Sequence, residues 1–548
     1  MSSISSLSAA VSALMSSQTA LNTTAHNLAN VNTPGYVRQQ VLMKDNSYMN
    51  LGQNGTTGFY VGLGVDVQQI RQIRDRFLDQ AYRQENSRQG FYAAQNNAIE
   101  EIETILGETE GESFSKVLNN LWQSLNEISK NPDGLETRGA LVQNAVLFIN
   151  RANLISNQLN SYQDNMNSQV MDMVKEINHI GEQINDLNGI IVKAELSGGQ
   201  ANDYRDQRNS LIDKLSTMVD VNYKEDLKGN VLVQIEGMEF VSIGGYNKMG
   251  IAAAEPFSTL VKPIWTHLSG TNNDVFDYAT PINTENDNDK GKLKGLLLGR
   301  GTRAANYTDM QNLATYQSNI KPSIIMNAQA QFDNLVHGVV TMMNNVIAPN
   351  IEILPATVPP TYELDTVNAP YGLDGSQGIE LFSRKSMTRY TAGVYNDEDP
   401  ANTYSLYSAG NIAVNQAILD DYDKICLSGT MMDLSDNTFI QKMITKWQEP
   451  FSAIEPGLTS KLNFNAYYND YISVIGNNGN SVYNKMSNQE QMVIQINNQR
   501  SSRMEVSSDE ELSNMIKFQH AYNAAAKVVS TLDQMMEQVV KSTGLVGR

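Results

Sequence analysis

The sequence predicts a multi-domain, mainly α protein with inserted β segments, whose N- and C-terminal helices pair as a coiled coil. Three observations predict it. Between Ser508 and Val540, the residues Met515, Phe518, Tyr522, Ala525, Val529, Leu532, Met536 and Val539 step by threes and fours without a break, which is an a/d seam. At the other end Ile4, Leu7, Val11, Leu14, Gln18, Leu21, Ala25 and Leu28 step the same way. Between the two ends, long stretches of helical period enclose a middle where the period changes to two.

The first helix spans 3–31, and Asn32-Thr-Pro-Gly-Tyr36 stops it. Pro34 disfavours helix at Thr33, and Gly35 supplies a turn. Most residues between its apolar positions are Ser, Ala, Asn and Thr, so its seam is narrow and its stability must come from packing. Residues 37–65 are polar and glycine-rich, with a β signal at Phe59-Tyr-Val61, and read as a long loop or hairpin region. Helix is expected from Val67 to Leu106, then over 112–130, closed by Asn131-Pro-Asp-Gly134, and then from Leu135 towards Leu196. Ser197-Gly-Gly199 breaks that helix, and 201–218 adds another. Val231, Val233 and Ile235 alternate with polar residues, Glu236-Gly237 turns, and 238–243 returns, a β-hairpin signal. Short strands and an acidic loop follow over 250–295. Helix is expected across 302–347 with an interruption at Pro322, β and loop over 350–410, and long helices at 463–504 and 508–541. Ser508 and Glu511 read as a capping box for the last of these.

This divides the chain into a terminal coiled-coil domain (1–60 with 505–548), a helical rod-like domain (61–220 with about 300–347 and 411–504), and β-rich inserted regions (about 221–300 and 348–410). A length of 548 residues suits roughly three domains of ~150 residues. The net charge of −19 argues against a nucleic-acid binder, which needs a basic footprint. The single cysteine, Cys426, allows no intrachain disulfide. No run of about 18 apolar residues exists to span a bilayer. The first cationic residue is Arg38, so a cleaved signal peptide is not expected.

Little in the sequence suggests catalysis. His26, His179, His267, His337 and His520 form no HExxH pair, and no Cys/His cluster has zinc spacing, so neither a metal site nor a cofactor is expected. Asp287-Asn-Asp289 resembles part of a calcium loop, but Gly291 comes too early and position 298 is Leu; a solvated acidic loop is the expectation. Trp122, Trp265 and Trp447 suit core or inter-domain anchors. Met535, Met536, Val539 and Val540 form an adaptable apolar end patch. Tyr36 and Arg38, just past the first helix, suit either a neighbouring subunit or a local turn.

Asn27-Leu-Ala-Asn-Val-Asn-Thr-Pro-Gly-Tyr36, which carries Asn27, Asn30, Asn32, Thr33, Pro34, Gly35 and Tyr36, resembles the N-terminal signature of the bacterial flagellar rod, hook and hook-associated proteins. Ser508-Asp-Glu-Glu-Leu512 and Phe518-Gln-His-Ala-Tyr522 resemble their C-terminal signature. Further stretches are similar to members found where hook meets filament: Gly64-Val-Asp-Val67, Asp75-Arg-Phe-Leu78, Asn131-Pro132 with Arg138, Ala201-Asn-Asp203 with Asp206-Gln-Arg208, Tyr467-Tyr468 and Ile475-Gly476. Tyr204, Asn209 and Met504-Glu505 depart from the pattern. The resemblance covers both helical arms, ~1–220 and ~460–548, and is thin over 220–440.

The resemblance implies a structural axial component at the hook–filament junction, required for filament attachment, and not an enzyme. Its place would be extracellular, on the flagellum, after export without a cleaved signal peptide through the flagellar type III apparatus. Its terminal domain would fold as a coiled coil inside the axial tube. Its implied partners are the hook protein, a second junction protein, copies of itself, and a cytoplasmic export chaperone at the C-terminal segment. Assembly would use Ile4, Leu7, Val11, Leu14, Leu21 and Leu28 with Met515, Phe518, Tyr522, Val529, Leu532, Met536 and Val539. The rival readings are another axial protein such as hook protein, which the long helical block 67–218 disfavours, and a secreted enzyme with its site in the β-rich middle.

Overall fold

The computed structural model describes residues 2–54, 57–108, 113–196, 198–256, 258–270, 273–278, 280–353, 360–431, 433 and 435–543, with the side chains of 2–4, 51–54, 57–59 and 543 left out. The protein is mainly helical, and its two ends lie side by side. Helix α1 (Ser2–Ala29) packs along α12 (Ser508–Thr543). Strand β1 (Gln39–Asp45) pairs antiparallel with β4 (Val65–Gln72), and the hairpin β2 (Tyr48–Asn54) and β3 (Thr57–Gly62) lies between them in sequence. The helix expected from Val67 is therefore strand as far as Gln72. Val67 faces Met43 and Ile70 faces Val41 across the ladder, and helix starts only where Asp75 accepts the amides of Phe77 and Leu78 as an N-cap. Residue 60, where the sequence suggested a domain boundary, lies inside the β2–β3 hairpin, where Tyr60 pairs with Asn50.

The helical body follows: α2 (Arg76–Leu106), α3 (Phe114–Ile128), α4 (Leu135–Glu195) and α5 (Asn202–Met218). At 1.5 Å per residue α4 runs for about 90 Å, the spine of the molecule. Helix α11 (Phe464–Met504) returns along α2. Where the sequence suggested strand and loop up to 295 there is a helix, α6 (Lys292–Arg300). The helix expected over 302–347 with a break at Pro322 forms as a short 3-10 helix (Tyr307–Met310), α7 (Leu313–Thr315) running into a π-helical turn (Tyr316–Ile320), and, past the break, α8 (Ile324–Ile347). Tertiary packing decides this. Leu293, Leu296 and Leu297 are buried, and Gly291, at φ +87°, sets the entry so close to Val219 that a Cβ there would lie 2.9 Å from its Cα. Helix therefore resumes just after Gly291, ahead of the position at about 300 expected from the sequence.

The body's core is aromatic where α3, α4, α8 and α11 meet. The Phe114 ring lies 5.0 Å from Phe332, 5.0 Å from Tyr468 and 5.5 Å from Phe148, all four fully or almost fully buried. Trp122 stacks on Trp447 of α10 (Thr438–Gln448) at 5.6 Å, an inter-helix anchor, and Trp265 is buried. The first β insert orders β5 (Val221–Glu225), β6 (Val231–Ile235), β7 (Met238–Ser242) and β8 (Gly245–Tyr246) in sequence, beside the β9 (Met249–Ala253) and β10 (Val261–Trp265) pair. It packs against α4, where Gly181 leaves room for the Phe240 ring. The second insert joins β11 (Asn350–Glu352), β12 (Tyr362–Leu364), β15 (Val394–Tyr395) and β14 (Tyr390–Thr391) in one sheet, and pairs β13 (Phe382–Arg384) with β16 (Ile412–Val414) before α9 (Gln416–Asp420).

Buried charges tie the inserts down. Arg138, fully buried, donates to the carbonyls of Pro132, Tyr422 and Ile425, which explains the Asn131-Pro132/Arg138 pattern. The acidic loop is exposed over 284–287 as expected, but it is pinned at its end: Arg88 of α2 reaches Asp287 at 2.5 Å and buried Asp289 at 3.1 Å, and the Tyr92 hydroxyl donates to Asp289. Truncation of Phe114 to Ala should cost about 3–5 kcal/mol, because a large cavity opens in a close-packed aromatic cluster. Urea unfolding of the helical body should show a midpoint lowered accordingly.

Candidate assembly surface on the terminal helices

Helices α1 and α12 run antiparallel. Asn27, near the end of α1, meets Glu511 in the first turn of α12, while Leu7 and Leu14 share a cleft with Ala526, Val529, Asp533 and Met536. The faces used are not quite those of the seams. On α1 the buried residues are Ser5, Ala10, Ser16, Ser17, Ala20, Thr23, Thr24 and Asn27, the small and polar ones. Leu7, Leu14, Leu21 and Leu28 are only half-buried and Val11 is exposed; the Ile4 side chain lies outside the described residues. The reason is that α1 is held from two sides. Its small face also sits on the β1–β4 ribbon, where the Ser12 hydroxyl accepts the Val65 N–H at 3.1 Å and Ser16 donates to the Val65 carbonyl. The approach is close enough that a Cβ on Gly64, at φ +101°, would lie 2.0 Å from Ser12 Oγ.

On α12, Met515, Phe518, Tyr522, Val529 and Leu532 are half-buried and Ala525 is buried, whereas Met536 and Val539 stay exposed. Larger apolar residues face water outright: Ile516 at 57 %, Met535 at 58 % and Val540 at 65 % on α12, with Met15 at 65 % on α1. Contiguous exposed apolar residues of this kind mark interaction surfaces.

The signature stretches converge on one clasp at the base of this pair. Asn27 Nδ2 donates to the Gln39 carbonyl at 2.9 Å and to Glu511 at 3.2 Å, and its Oδ1 accepts from the Tyr36 hydroxyl at 2.8 Å and the Gln39 amide at 3.0 Å. All four hydrogen-bonding sites of one buried amide are filled. Arg38 bonds Glu510 at 2.6 Å and Glu511 at 2.8 Å, and its amide donates to the Met504 carbonyl. Glu511 therefore does not close a capping box with Ser508: helix begins at Ser508, and the buried carboxylate turns to Arg38 and Asn27. Tyr36 is buried against His26 and Asn27, so Tyr36 and Arg38 serve within the chain. Asn30 Oδ1 accepts from Thr33, whose own carbonyl accepts the Tyr36 amide; Asn32, Thr33, Pro34 and Gly35 are the exposed turn that reverses the chain, with Gly35 at φ +79°.

Helix α5 supplies the floor. Asp206 accepts the Val37 amide at 3.1 Å and faces Arg74, Asp203 accepts from Gln39, and Asn202 bonds Gln39 and the Ile70 carbonyl. Below it Arg500 bridges Asp79 and Asp213 at 2.8 Å each, Arg83 pairs with Asp213, and Arg503 pairs with Asp75. Burial, opposed by the Val37 amide and Arg74, pushes the Asp206 carboxyl up to about 7; its charged neighbours are Arg74, Asp203 and, through Asp203, His26. Arg38 and the Asp206–Val37 bond carry this clasp and were not assigned to it from the sequence; only the placement of their motifs signalled it.

A second polar cluster, unseen in the sequence because its members are far apart, binds the inserted region to α8. The Tyr307 ring stacks on His337 at 3.6 Å, Glu398 accepts from Tyr307 and faces His337 at 3.1 Å, and buried Asp333 accepts the amides of Tyr307 and Ala409. Every polar group there is spent on holding chain segments together. Among the described residues no three His, Cys, Asp or Glu side chains gather as a metal site.

Replacing Arg38 with Met leaves the Glu511 carboxylate buried without its cation, a loss of about 3–5 kcal/mol where no other partner forms. Amide exchange in 508–530 should accelerate by at least tenfold while the 135–195 helix stays protected. The clasp should also respond to pH. A folded-state pKa near 7, above the ~3.9 of an unfolded aspartate, makes Asp206 favour the fold when protonated. Its contribution is full below pH ~4 and is lost as pH rises through about 7. Proteolytic release of the terminal arm should be slower at pH 5 than at pH 8, and Asp206→Asn should flatten that difference.

Comparison with known proteins agrees with this architecture. Residues 99–353 match the family model for the flagellar hook-associated protein FlgK helical domain. Residues 498–542 match that for the flagellar basal body rod FlgEFG protein C-terminal region, and 7–36 that for the flagella basal body rod protein. The chain is 29 % identical over 543 residues to flagellar hook-associated protein 1 of Bacillus subtilis, covering 98 % of this chain and 97 % of that one. It is 23 % identical over 563 residues to the protein of that name from Escherichia coli, with 97 % and 98 % covered. The solved structure of the flagellar hook junction protein FlgK from Burkholderia pseudomallei shares the fold: TM-score 0.52 at 14 % identity, over 79 % of this chain and all of that one. Both termini, the helical body and nearly the full length of these relatives are thus accounted for, and the chain is similar over almost its whole length to flagellar hook-associated protein 1.

Proposed function

We propose that the protein is a structural axial component of the bacterial flagellum that forms the junction between hook and filament, so that filament attachment depends on it. The likeness of its two ends to flagellar basal body rod proteins, and of its full length to flagellar hook-associated protein 1, supports this reading. The observation that carries the reading is the unfinished terminal pair. Two helices, α12 about 54 Å long, lie antiparallel, with the small residues of α1 buried, the seams of both mostly half-buried, and Met15, Ile516, Met535 and Val540 facing outward. Such a pair completes its packing only against other helices, and copies related by a repeating rotation build a tube wall. The half-buried leucines of α1 and the seam of α12 are the surface we assign to a coiled coil between neighbours.

The finer partners follow from the same surface. The hook protein on one side, a second junction protein on the other and further copies of this chain would cover the stripes. Before assembly, an export chaperone would cover the Met535, Met536, Val539 and Val540 end, which is exposed and adaptable. A chain of this kind leaves the cell unprocessed, through the flagellar export apparatus, and acts by contact rather than catalysis. No helix among the described residues is long and apolar enough to cross a membrane.

Ile516→Asp with Met535→Asp changes two residues that already face water, so the melting of the monomer should hardly move. The same double variant should leave hooks bare, with filament subunits shed into the medium; normal motility would defeat the proposal. Limited proteolysis of the purified monomer should cut first within 1–35 and 505–548, and intact ends after the body has been degraded would count against it.

A further inference from the structure

A cleft of about 580 Å³ opens in the first inserted region, between β10, the end of α6 and the turn at 318–323. Its walls are apolar, formed by Pro263, Phe276, Leu297, Leu298 and Pro322. At its floor is Arg300, the last residue of α6, only 1 % exposed. Its guanidinium donates from Nε to the Gly301 carbonyl at 3.0 Å, from Nη2 to the Val261 carbonyl at 2.7 Å, and from Nη1 to Asn167 Oδ1. All three partners are neutral, and a guanidinium has five N–H groups.

The other arginines buried this deeply beside α5 are neutralised: Arg83 by Asp213 and Arg208 by Glu225. Arg138, like Arg300, has only neutral partners, three loop carbonyls, and its Nη2 is left without one, but it lies outside the cleft. Around Arg300 the acids are already engaged. Asp274 pairs with Lys262 at 2.8 Å, and Glu255 accepts from Thr302 at 2.5 Å and faces Arg303 at 3.3 Å. Burial lowers the Arg300 pKa to about 10, with the Tyr278 phenol the one neighbour that opposes it. An unpaired buried cation is costly, and a cavity lined by one is suited to supply its counter-charge from outside.

We propose that this cleft binds an organic monocarboxylate with an apolar body, the carboxylate forked on the Arg300 guanidinium and the body against Phe276 and the prolines. Arginine favours a carboxylate here because its planar fork matches both oxygens. The site is remote from the terminal helices, so it goes beyond the assembly role and fails or stands independently of it.

Calorimetric titration of the full chain with 2-naphthoate, and with 2-naphthalenemethanol as its neutral match, tests the proposal. One naphthoate per chain should bind, at least tenfold more tightly than the alcohol. Arg300→Gln should lose at least tenfold of the naphthoate affinity. Thr280→Trp, a change at an exposed rim position that fills the mouth and leaves the buried floor alone, should lose as much, and it decides the matter if Arg300→Gln does not fold by circular dichroism. Absence of binding, naphthoate no tighter than the alcohol, or unchanged affinity in Thr280→Trp overturns the proposal.

Discussion

The structure depends on a buried carboxylate. Glu511 is taken out of water in the first turn of α12, and a desolvated charge must find its partners within hydrogen-bond reach. Arg38 and Asn27 are those partners, and both belong to the other end of the chain. Satisfying Glu511 fixes the register of α12 on α1 and brings the turn at 30–36 over α5. Asn27 is itself saturated by four bonds, so it cannot turn away without orphaning a buried group. A clasp of this kind contributes position more than stability: a slip of one helical turn breaks all of its bonds at once.

Above the clasp, side-chain size governs. Serine, alanine and threonine on one face of α1 let it lie close to the β1–β4 ribbon and to α12 together. Little apolar area is buried there, and the larger side chains remain outside. The body works differently, with a 61-residue spine, an aromatic centre and buried ion pairs. The molecule is thus a rigid body carrying a terminal arm that is positioned at its base and incomplete along its length, as suits a subunit that finishes packing in a wall of its own kind.

Much of this was legible in the sequence. The long helices were, because helical period persists over tens of residues from Leu135 to Glu195 and from Phe464 to Met504. The motif Asn27–Tyr36 pointed to the right place through resemblance, yet its chemistry was not legible, since its partners Gln39, Asp206 and Glu511 are assembled only by the fold. The seam of α12 marked its α1-facing side, and on α1 Leu7 and Leu14 line the cleft with α12, but the most buried positions are small, mostly polar residues, which carry little hydrophobic signal and permit the closest approach. Val67–Gln72 was misread because its apolar residues fit either period, and Lys292–Arg300 because a nine-residue helix framed by glycines is set by what it packs against. The clusters at His337 and Arg300 gather residues scores of positions apart, which no spacing rule detects.

The antiparallel register of the two ends is the central claim, and disulfide trapping measures it most directly. Leu14 and Ala526 line one cleft, and the native Cys426 is buried out of reach. Under mild oxidation Leu14→Cys with Ala526→Cys should cross-link within the monomer, while Leu14→Cys with Ser508→Cys should not. Equal trapping of both pairs, or preference for the second, would contradict the account.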